Sequence, residues 1–407
     1  MDKLLYQYTL TIVSLILFLY GYFPVQQNQS QDAIAPPTYL NDIKINVDDV
    51  YKAQADRIVV VVIDALRMDF VTNKNLPFIT STFHKDGCML DVHVHSPTVT
   101  LPRIKALTTG RVPQFFDVVL NLASTEVLND SVLHRAKQAG KRIIFYGDDT
   151  WVNLYPNMFE RYEGVSSFFV NDYTEVDNNV TRNVEKELNN NDWDLMLLHY
   201  LGLDHIGHVY GPFSHLVENK LLEMDNIVKT IYQKTQSHEK KTLIFVTGDH
   251  GMKDSGGHGG TTLEETSVPL LILGNNCKND SIVQTDISAT LAALMGLTLP
   301  SGNTGRINLN IFGTLTHDRT LYILNYGACS LKSQTMDYEN VFEKASSVYY
   351  KFLQTRDEVY AENAKILYQR KNTKFVELSS ALPELLLLML KASWMKILDL
   401  SLFCMEQ

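Results

Sequence analysis

Six consecutive β-branched residues, Ile58-Val-Val-Val-Val-Ile63, constrain this chain more than any other feature. An apolar run without polar alternation suits a strand covered on both faces, as in a parallel sheet flanked by helices. Further strand candidates are Lys141 to Tyr146, Leu195 to Tyr200, Thr242 to Thr247 and Val268 to Leu273. Helical patterns fall between them, at Ser131 to Ala139, Thr181 to Leu188 and Leu216 to Gln236. This alternation predicts an α/β fold on a mostly parallel central sheet with helices on both faces. After about Asn310 the alternation weakens, and Val341 to Arg370 reads as one long exposed helix or a helical pair.

Several of these strands run into potential metal ligands. The first ends at Asp64, and the third is followed by Gly202-Leu-Asp204-His205-Ile-Gly207-His208. The fourth ends in Gly248-Asp249-His250-Gly251-Met252, and Ser255-Gly-Gly-His258-Gly-Gly260 is a glycine-rich loop around a histidine. Open α/β sheets bind ligands beyond the carboxyl ends of their strands, so these groups can converge on one edge. Imidazole and carboxylate are zinc ligands, and two zinc ions need about six of them. Asp64, Asp204, His208, Asp249, His250 and His258 match that number and type. Two metals about 4 Å apart clamp the attacking and leaving oxygens of a phosphoryl displacement, which makes this the implied reaction class.

A bland reading stands beside each of these residues. Asp64 alone reads as a helix cap or loop hydrogen-bonder, His199 as a satisfied core histidine, and His205 as a neighbour outside the ligand set. Only the ordered combination of the Asp-His-Gly triplet, Asp204-x-x-x-His208 and a glycine-flanked His258 points past coincidence. The nucleophile is expected in Pro97-Thr98-Val-Thr100-Leu-Pro-Arg103. A threonine hydroxyl needs a metal or base to activate it, and a helix start would aim N–H groups at phosphate oxygens. Spacing leaves Thr98, Thr100 and a plain helix cap all open.

Composition excludes other classes. A net charge of −10 argues against a nucleic-acid partner, which would require a basic face. It also means that an anionic substrate must be met by something other than bulk positive charge, such as bound cations. The four cysteines, Cys88, Cys277, Cys329 and Cys404, form no CxxC pattern and allow one disulfide of unspecified pairing. Sequons begin at Asn28, Asn129, Asn179 and Asn279, behind an apolar stretch from Leu4 to about Val25. That stretch is long enough to span a bilayer, and with Lys3 before it the expected orientation is cytosolic N-terminus and lumenal domain. A cleaved signal peptide is the alternative, although its apolar region is normally shorter. The expected organisation is a transmembrane signal anchor over 1–25, a tether over 26–56, a catalytic domain over 57–315 and a helical part over 316–381. An apolar segment follows over 382–407, interrupted by Glu384, Lys391, Lys396 and Asp399 and so a poor membrane span.

Val-Ile-Asp64, Pro-Thr-x-Thr100, Asp204-x-x-Gly-His208, Asp249-His-Gly-Met and Gly-His258-Gly resemble the alkaline phosphatase superfamily, on its phosphodiesterase and phosphotransferase side. Pro97-Thr-Val-Thr-Leu-Pro-Arg-Ile, Phe145-Tyr-Gly-Asp-Asp-Thr-Trp151, Asp172-Tyr-Thr-Glu-Val-Asp-Asn-Asn-Val180 and His199-Tyr-Leu-Gly-Leu-Asp-His-Ile-Gly-His208 narrow it to the GPI ethanolamine phosphate transferase 2 (PIG-G) family. The resemblance covers roughly Met1 to Asn310. It implies an alkaline-phosphatase-like fold in the endoplasmic reticulum membrane, with Thr100 as the nucleophile. It further implies one zinc ion held by Asp64, Asp249, His250 and Thr100, and a second held by Asp204, His208 and His258. The implied reaction moves phosphoethanolamine from phosphatidylethanolamine, through a threonine-linked intermediate, to the second mannose of a GPI-anchor precursor. A PIG-F-like membrane subunit is the implied partner. Family members continue into many membrane spans, so the resemblance implies a truncated form here. A lumenal zinc phosphodiesterase or pyrophosphatase using water, and an inactive form that binds GPI lipid or partner subunits, are the alternatives.

Overall fold

The computed structural model describes residues 34–112, 128, 130–332 and 336–369. The apolar stretches at 4–25 and 382–403 lie outside these residues. Among the described residues, no helix is long and apolar enough to cross a membrane.

A short antiparallel pair, β1 (Tyr39–Leu40) and β2 (Ile43–Lys44), precedes the main sheet. The main sheet is built from β3 (Arg57–Ile63), β4 (Gly87–His93), β5 (Ile143–Asp148), β6 (Arg161–Val165), β7 (Leu195–Tyr200), β8 (Thr242–Thr247), β9 (Ser267–Leu273) and β10 (Asp280–Val283). Their order across the sheet is β10-β4-β9-β8-β3-β7-β5-β6. Only β9 runs against its neighbours; the β10–β4, β8–β3, β3–β7, β7–β5 and β5–β6 pairings are parallel.

The β-branched run is β3, and every one of its residues is buried. Ile58, Val60 and Val62 enter one hydrophobic cluster, whereas Val59, Val61 and Ile63 enter the other. Strand side chains alternate between faces, so a central strand with two covered faces has no polar position to spare. The second cluster is closed by helices Pro77–Asp86, Glu175–Asn190 and His215–Gln236, and the first by Thr100–Thr109 and Thr285–Leu294 among others.

Three strands of the main sheet, β4, β6 and β10, fall outside the sequence expectation. They are half-exposed or short, and their patterns are correspondingly weak. The stretch expected as a tether is packed from residue 34 onward. Tyr51 Oη donates to Leu297 O at 2.7 Å, and Pro37 O and Ile34 O accept from Tyr322 and Tyr326 at 2.9 Å each. Of the two forms expected after Val341, one long exposed helix or a helical pair, the structure has the pair, Met336–Thr355 and Glu358–Gln369. Their buried Ala345, Tyr349, Phe352, Ala361 and Tyr368 join the same cluster as the sheet. Charged outer faces hide this amphipathic spacing.

Cys88 on β4 and Cys277, between β9 and β10, are disulfide-bonded across a separation of 189 residues. Such a link restricts the unfolded chain over a long loop and typically stabilises by about 2–4 kcal/mol. We expect alkylation without reductant to spare Cys88 and Cys277, and Cys88→Ala with Cys277→Ala to lower the melting temperature. Labelling of either cysteine in the untreated protein, read by peptide mass, would refute the link.

Candidate metal centre

The three strand ends that carry acidic residues are neighbours, because β3 lies between β8 and β7. Asp64 follows β3 directly. Ala65 then adopts a left-handed conformation, with φ of 61°, and its N–H donates to Asp249 Oδ1 at 3.3 Å. A non-glycine residue in that region is uncommon and marks a turn held by its surroundings. Asp249 and His250 leave β8. Asp204 and His208 lie one turn apart on the helix Gly202–Tyr210, which follows β7.

Two clusters of ligand atoms result. Asp64, Asp249 and His250 form one, and Asp204, His208 and His258 form the other; within each, the donor atoms lie within 4.8 Å of one another. In the first, His250 Nε2 is 3.5 Å from Asp64 Oδ1 and 3.4 Å from Asp249 Oδ2. Those two carboxylate oxygens are buried and have no hydrogen-bond partner. In the second, Asp204 Oδ2 is 3.3 Å from His208 Nε2, and Asp204 Oδ1 is 3.6 Å from His258 Nε2. The clusters adjoin, since the His250 and His258 rings are stacked with centroids 4.1 Å apart.

The electrostatics of this arrangement call for cations. Burial, and then the nearby Asp249 and Asp204 carboxylates, push the Asp64 carboxyl well above its ordinary range. Buried carboxylates side by side are costly unless paired or bound to metal. The orphaned oxygens converge with an imidazole nitrogen on one point, and mixed N/O donor sets of this kind fit zinc. Two of the three site histidines are oriented from behind. His250 Nδ1 lies 2.9 Å from Gly251 O, and His258 Nδ1 lies 2.7 Å from Thr98 O. A ring nitrogen that donates to a carbonyl leaves the other with a free lone pair, the tautomer a metal ligand needs.

The two threonines left open by spacing have different surroundings. Thr100 is the first residue of the helix Thr100–Thr109, and its Oγ1 lies 3.5 Å from both Asp64 Oδ2 and His250 Nε2. Thr98 is fully buried; its hydroxyl contacts Gly260 O at 3.1 Å and Glu265 Oε1 at 3.3 Å, and accepts from Gly259 N at 2.9 Å. Thr98 therefore ties down the loop bearing His258, and Thr100 faces the ligand clusters.

Residues that sequence reasoning passed over support this centre. Glu265, completely buried, accepts from Gly260 N at 2.7 Å and Thr262 N at 3.2 Å and so shapes the glycine-rich loop. Its Thr262-x-x-Glu265 spacing is a capping box and was a readable signal. Buried Asp177 accepts from Leu201 N at 2.9 Å and Gly202 N at 3.0 Å, at the start of the helix bearing Asp204. Lys220 balances it at 2.9 Å. Gln284 Nε2 donates to Asp249 O at 2.5 Å. His205 belongs to neither cluster, and its Nδ1 lies 2.6 Å from Asp172 O. His199, expected as a satisfied core histidine, instead has Nε2 3.4 Å from Asp64 Oδ2.

The family described as type I phosphodiesterase / nucleotide pyrophosphatase matches residues 58–266, about half of the chain. The chain belongs to this family. The matched stretch contains both ligand clusters and Thr100. The human protein named GPI ethanolamine phosphate transferase 2, catalytic subunit, is 43% identical over 318 residues, covering 73% of this chain and 32% of the human one. The GPI ethanolamine phosphate transferase 2 of Schizosaccharomyces pombe is 40% identical over 336 residues, covering 73% of this chain and 42% of its own length. The chain thus spans about a third to two fifths of the length of these relatives. The solved alkaline phosphatase PafA matches with a TM-score of 0.50 at 13% identity, covering 64% of this chain and 99% of PafA. That likeness shows an alkaline-phosphatase-like fold for this family member.

Gly202 shows how little room the site leaves. A Cβ there would lie 2.3 Å from Asp177 Oδ2 and 2.6 Å from Tyr173 O. We expect Gly202→Ala to cost about 1–3 kcal/mol of stability through overpacking. A denaturant melt measures it, and an unchanged midpoint would mean that the Asp177 cap shifts at no cost.

Proposed function

We propose that this chain is a zinc-dependent phosphoethanolamine transferase of GPI-anchor assembly. The observation that carries the reading is Thr100 Oγ1 set 3.5 Å from Asp64 and His250, beside a second cluster of Asp204, His208 and His258. Asp64, Asp249 and His250, together with Thr100, would hold one zinc ion, and Asp204, His208 and His258 a second. When bound, such a pair neutralises the carboxylates, lowers the pKa of a nearby hydroxyl and stabilises charge on phosphoryl oxygens.

Thr100 is the nucleophile in this reading. Its Oγ1 forms a bond to phosphorus of phosphatidylethanolamine, and the bond to the diacylglycerol oxygen breaks, with that oxygen taking a proton. The hydroxyl proton of Thr100 has Asp64 Oδ2 as its nearest carboxylate acceptor. Thr100 and Leu101 supply free first-turn N–H groups towards the phosphate, and Pro102 has none to supply. The 6-hydroxyl oxygen on the second mannose of a GPI-anchor precursor then attacks the phosphorus of the threonine-linked phosphoethanolamine, the Oγ1–phosphorus bond breaks, and the proton lost by the mannose hydroxyl balances the one Thr100 Oγ1 regains. The names of the curated relatives support ethanolamine phosphate as the group moved and a GPI as its acceptor. The proposal also takes a PIG-F-like membrane subunit as the partner and the endoplasmic reticulum lumen as the compartment. The Cys88–Cys277 link suits an oxidising lumen.

A second reading, transfer to water by a phosphodiesterase or pyrophosphatase, is favoured by the description of the matching family. The two part on product analysis with and without a mannose acceptor. The GPI glycan mass profile of cells lacking their own transferase tests the main reading. This chain is expected to restore phosphoethanolamine on the second mannose, and Thr100→Ala to lose on the order of 10³-fold or more in transfer. Thr98→Ala should retain transfer but lose about 1–3 kcal/mol of stability, since buried partners are left unpaired. Restoration by Thr100→Ala would remove Thr100 as nucleophile. The lumenal placement also predicts an endoglycosidase-sensitive mass at Asn279, which is exposed, and its loss in Asn279→Gln. An unshifted band in the untreated protein from cells would count against that placement.

A further inference from the structure

His199 is completely buried on β7, opposite Val62 of β3, in a position that the phosphoryl-transfer reading does not use. Its two ring nitrogens have different neighbours. Nδ1 accepts a hydrogen bond from Trp151 Nε1 at 3.0 Å, and Nε2 faces Asp64 Oδ2 at 3.4 Å. An indole N–H can only donate, so Nδ1 must carry a lone pair. The proton of the neutral ring is therefore on Nε2, directed at the carboxylate. This tautomer follows from geometry alone.

The two oxygens of Asp64 then have separate tasks. Oδ1 faces the point shared with Asp249 Oδ2 and His250 Nε2, and Oδ2 faces His199 as well as Thr100 Oγ1 at 3.5 Å. No hydrogen bond to His199 Nε2 is completed in this arrangement, and a buried donor left unsatisfied is costly. Small closure of the 3.4 Å gap would satisfy it. Trp151 reaches His199 because the end of β5 comes unusually near. Gly147 there has φ of 142°, and a Cβ on it would lie 2.3 Å from His199 O and 2.7 Å from His199 Cβ. Only glycine permits that approach, which delivers the helix Asp149–Leu154 and its indole to the imidazole.

We infer that Trp151 and His199 form a positioning relay, in which the indole fixes the imidazole tautomer and the imidazole N–H orients Asp64 for cation binding. The inference rests on the two-ion reading above. It concerns how tightly one of the two ions is held, not which residue attacks. Hydrogen-bonding partners behind a metal ligand typically contribute 10- to 100-fold to metal affinity.

The test uses the full-length chain in detergent, stripped with a chelator and titrated with zinc against a chromophoric competitor. The wild-type chain is expected to take up two equivalents. His199→Leu should bind one of them about 10- to 100-fold more weakly and leave the other unchanged. His199→Gln, whose amide N–H can stand near the position of Nε2, should recover affinity to within a few-fold. Trp151→Phe keeps the packing but frees the tautomer, and should weaken the same equivalent to a smaller extent. A merely structural histidine would lower the melting temperature without separating the two zinc affinities. Wild-type affinity for both equivalents in His199→Leu overturns the relay. Should that variant not fold, wild-type affinities in Trp151→Phe overturn it equally. A wild-type chain that takes up no zinc fails at the two-ion reading itself, and the relay falls with it.

Discussion

Placement of β3 between β7 and β8 governs the rest of the molecule. Parallel neighbours in a sheet lie just under 5 Å apart, and their carboxyl ends emerge on one edge. Asp64, Asp204 and Asp249 are consequently delivered to the same region by three adjacent strands. The packing that makes this possible is apolar and non-directional, with β3 buried in full on both faces. The result is electrostatically expensive, since it gathers buried carboxylates that repel one another. The remaining features of the site can be understood as ways of bearing that cost.

One way is to bring histidines into the same space, with two of the rings oriented by a carbonyl behind them. Gly251 O serves His250, and Thr98 O serves His258. A second is to brace the loops with buried carboxylates of their own. Glu265 and Asp177 both accept from backbone N–H groups, which pins the His258 loop and the start of the Asp204 helix. Neither can touch a substrate, yet each sets the position of a ligand. The third, in the reading favoured here, is the cations themselves. With a net charge of −10, the chain has no surplus of basic residues for the task.

The family assignment and the geometry constrain different things. Family membership rests on residues 58–266, the region where both clusters and Thr100 lie. The choice of donor and acceptor comes from relatives of which this chain covers only about a third to two fifths. Reaction class thus rests on side chains within the described fold, whereas substrate choice rests on likeness.

Much of the architecture was legible in local pattern. Leu195–Tyr200 and Thr242–Thr247 have the bounds their apolar runs suggest, and the ligand-type residues follow strand ends. Such features are written in consecutive residues, because burial on two faces requires an unbroken apolar stretch. The half-exposed strands β4, β6 and β10 have no such signature, and the single reversed strand β9 carries no sequence mark of its direction. Chain order could nominate six ligands, but it could not divide them into two clusters. Nor could it separate Thr98 from Thr100, two residues apart with the same side chain, or select Cys88 and Cys277 from four cysteines. It read His199 as core. Those distinctions depend on which groups from distant segments come within a few ångströms, and only the packing of the sheet edge decides that.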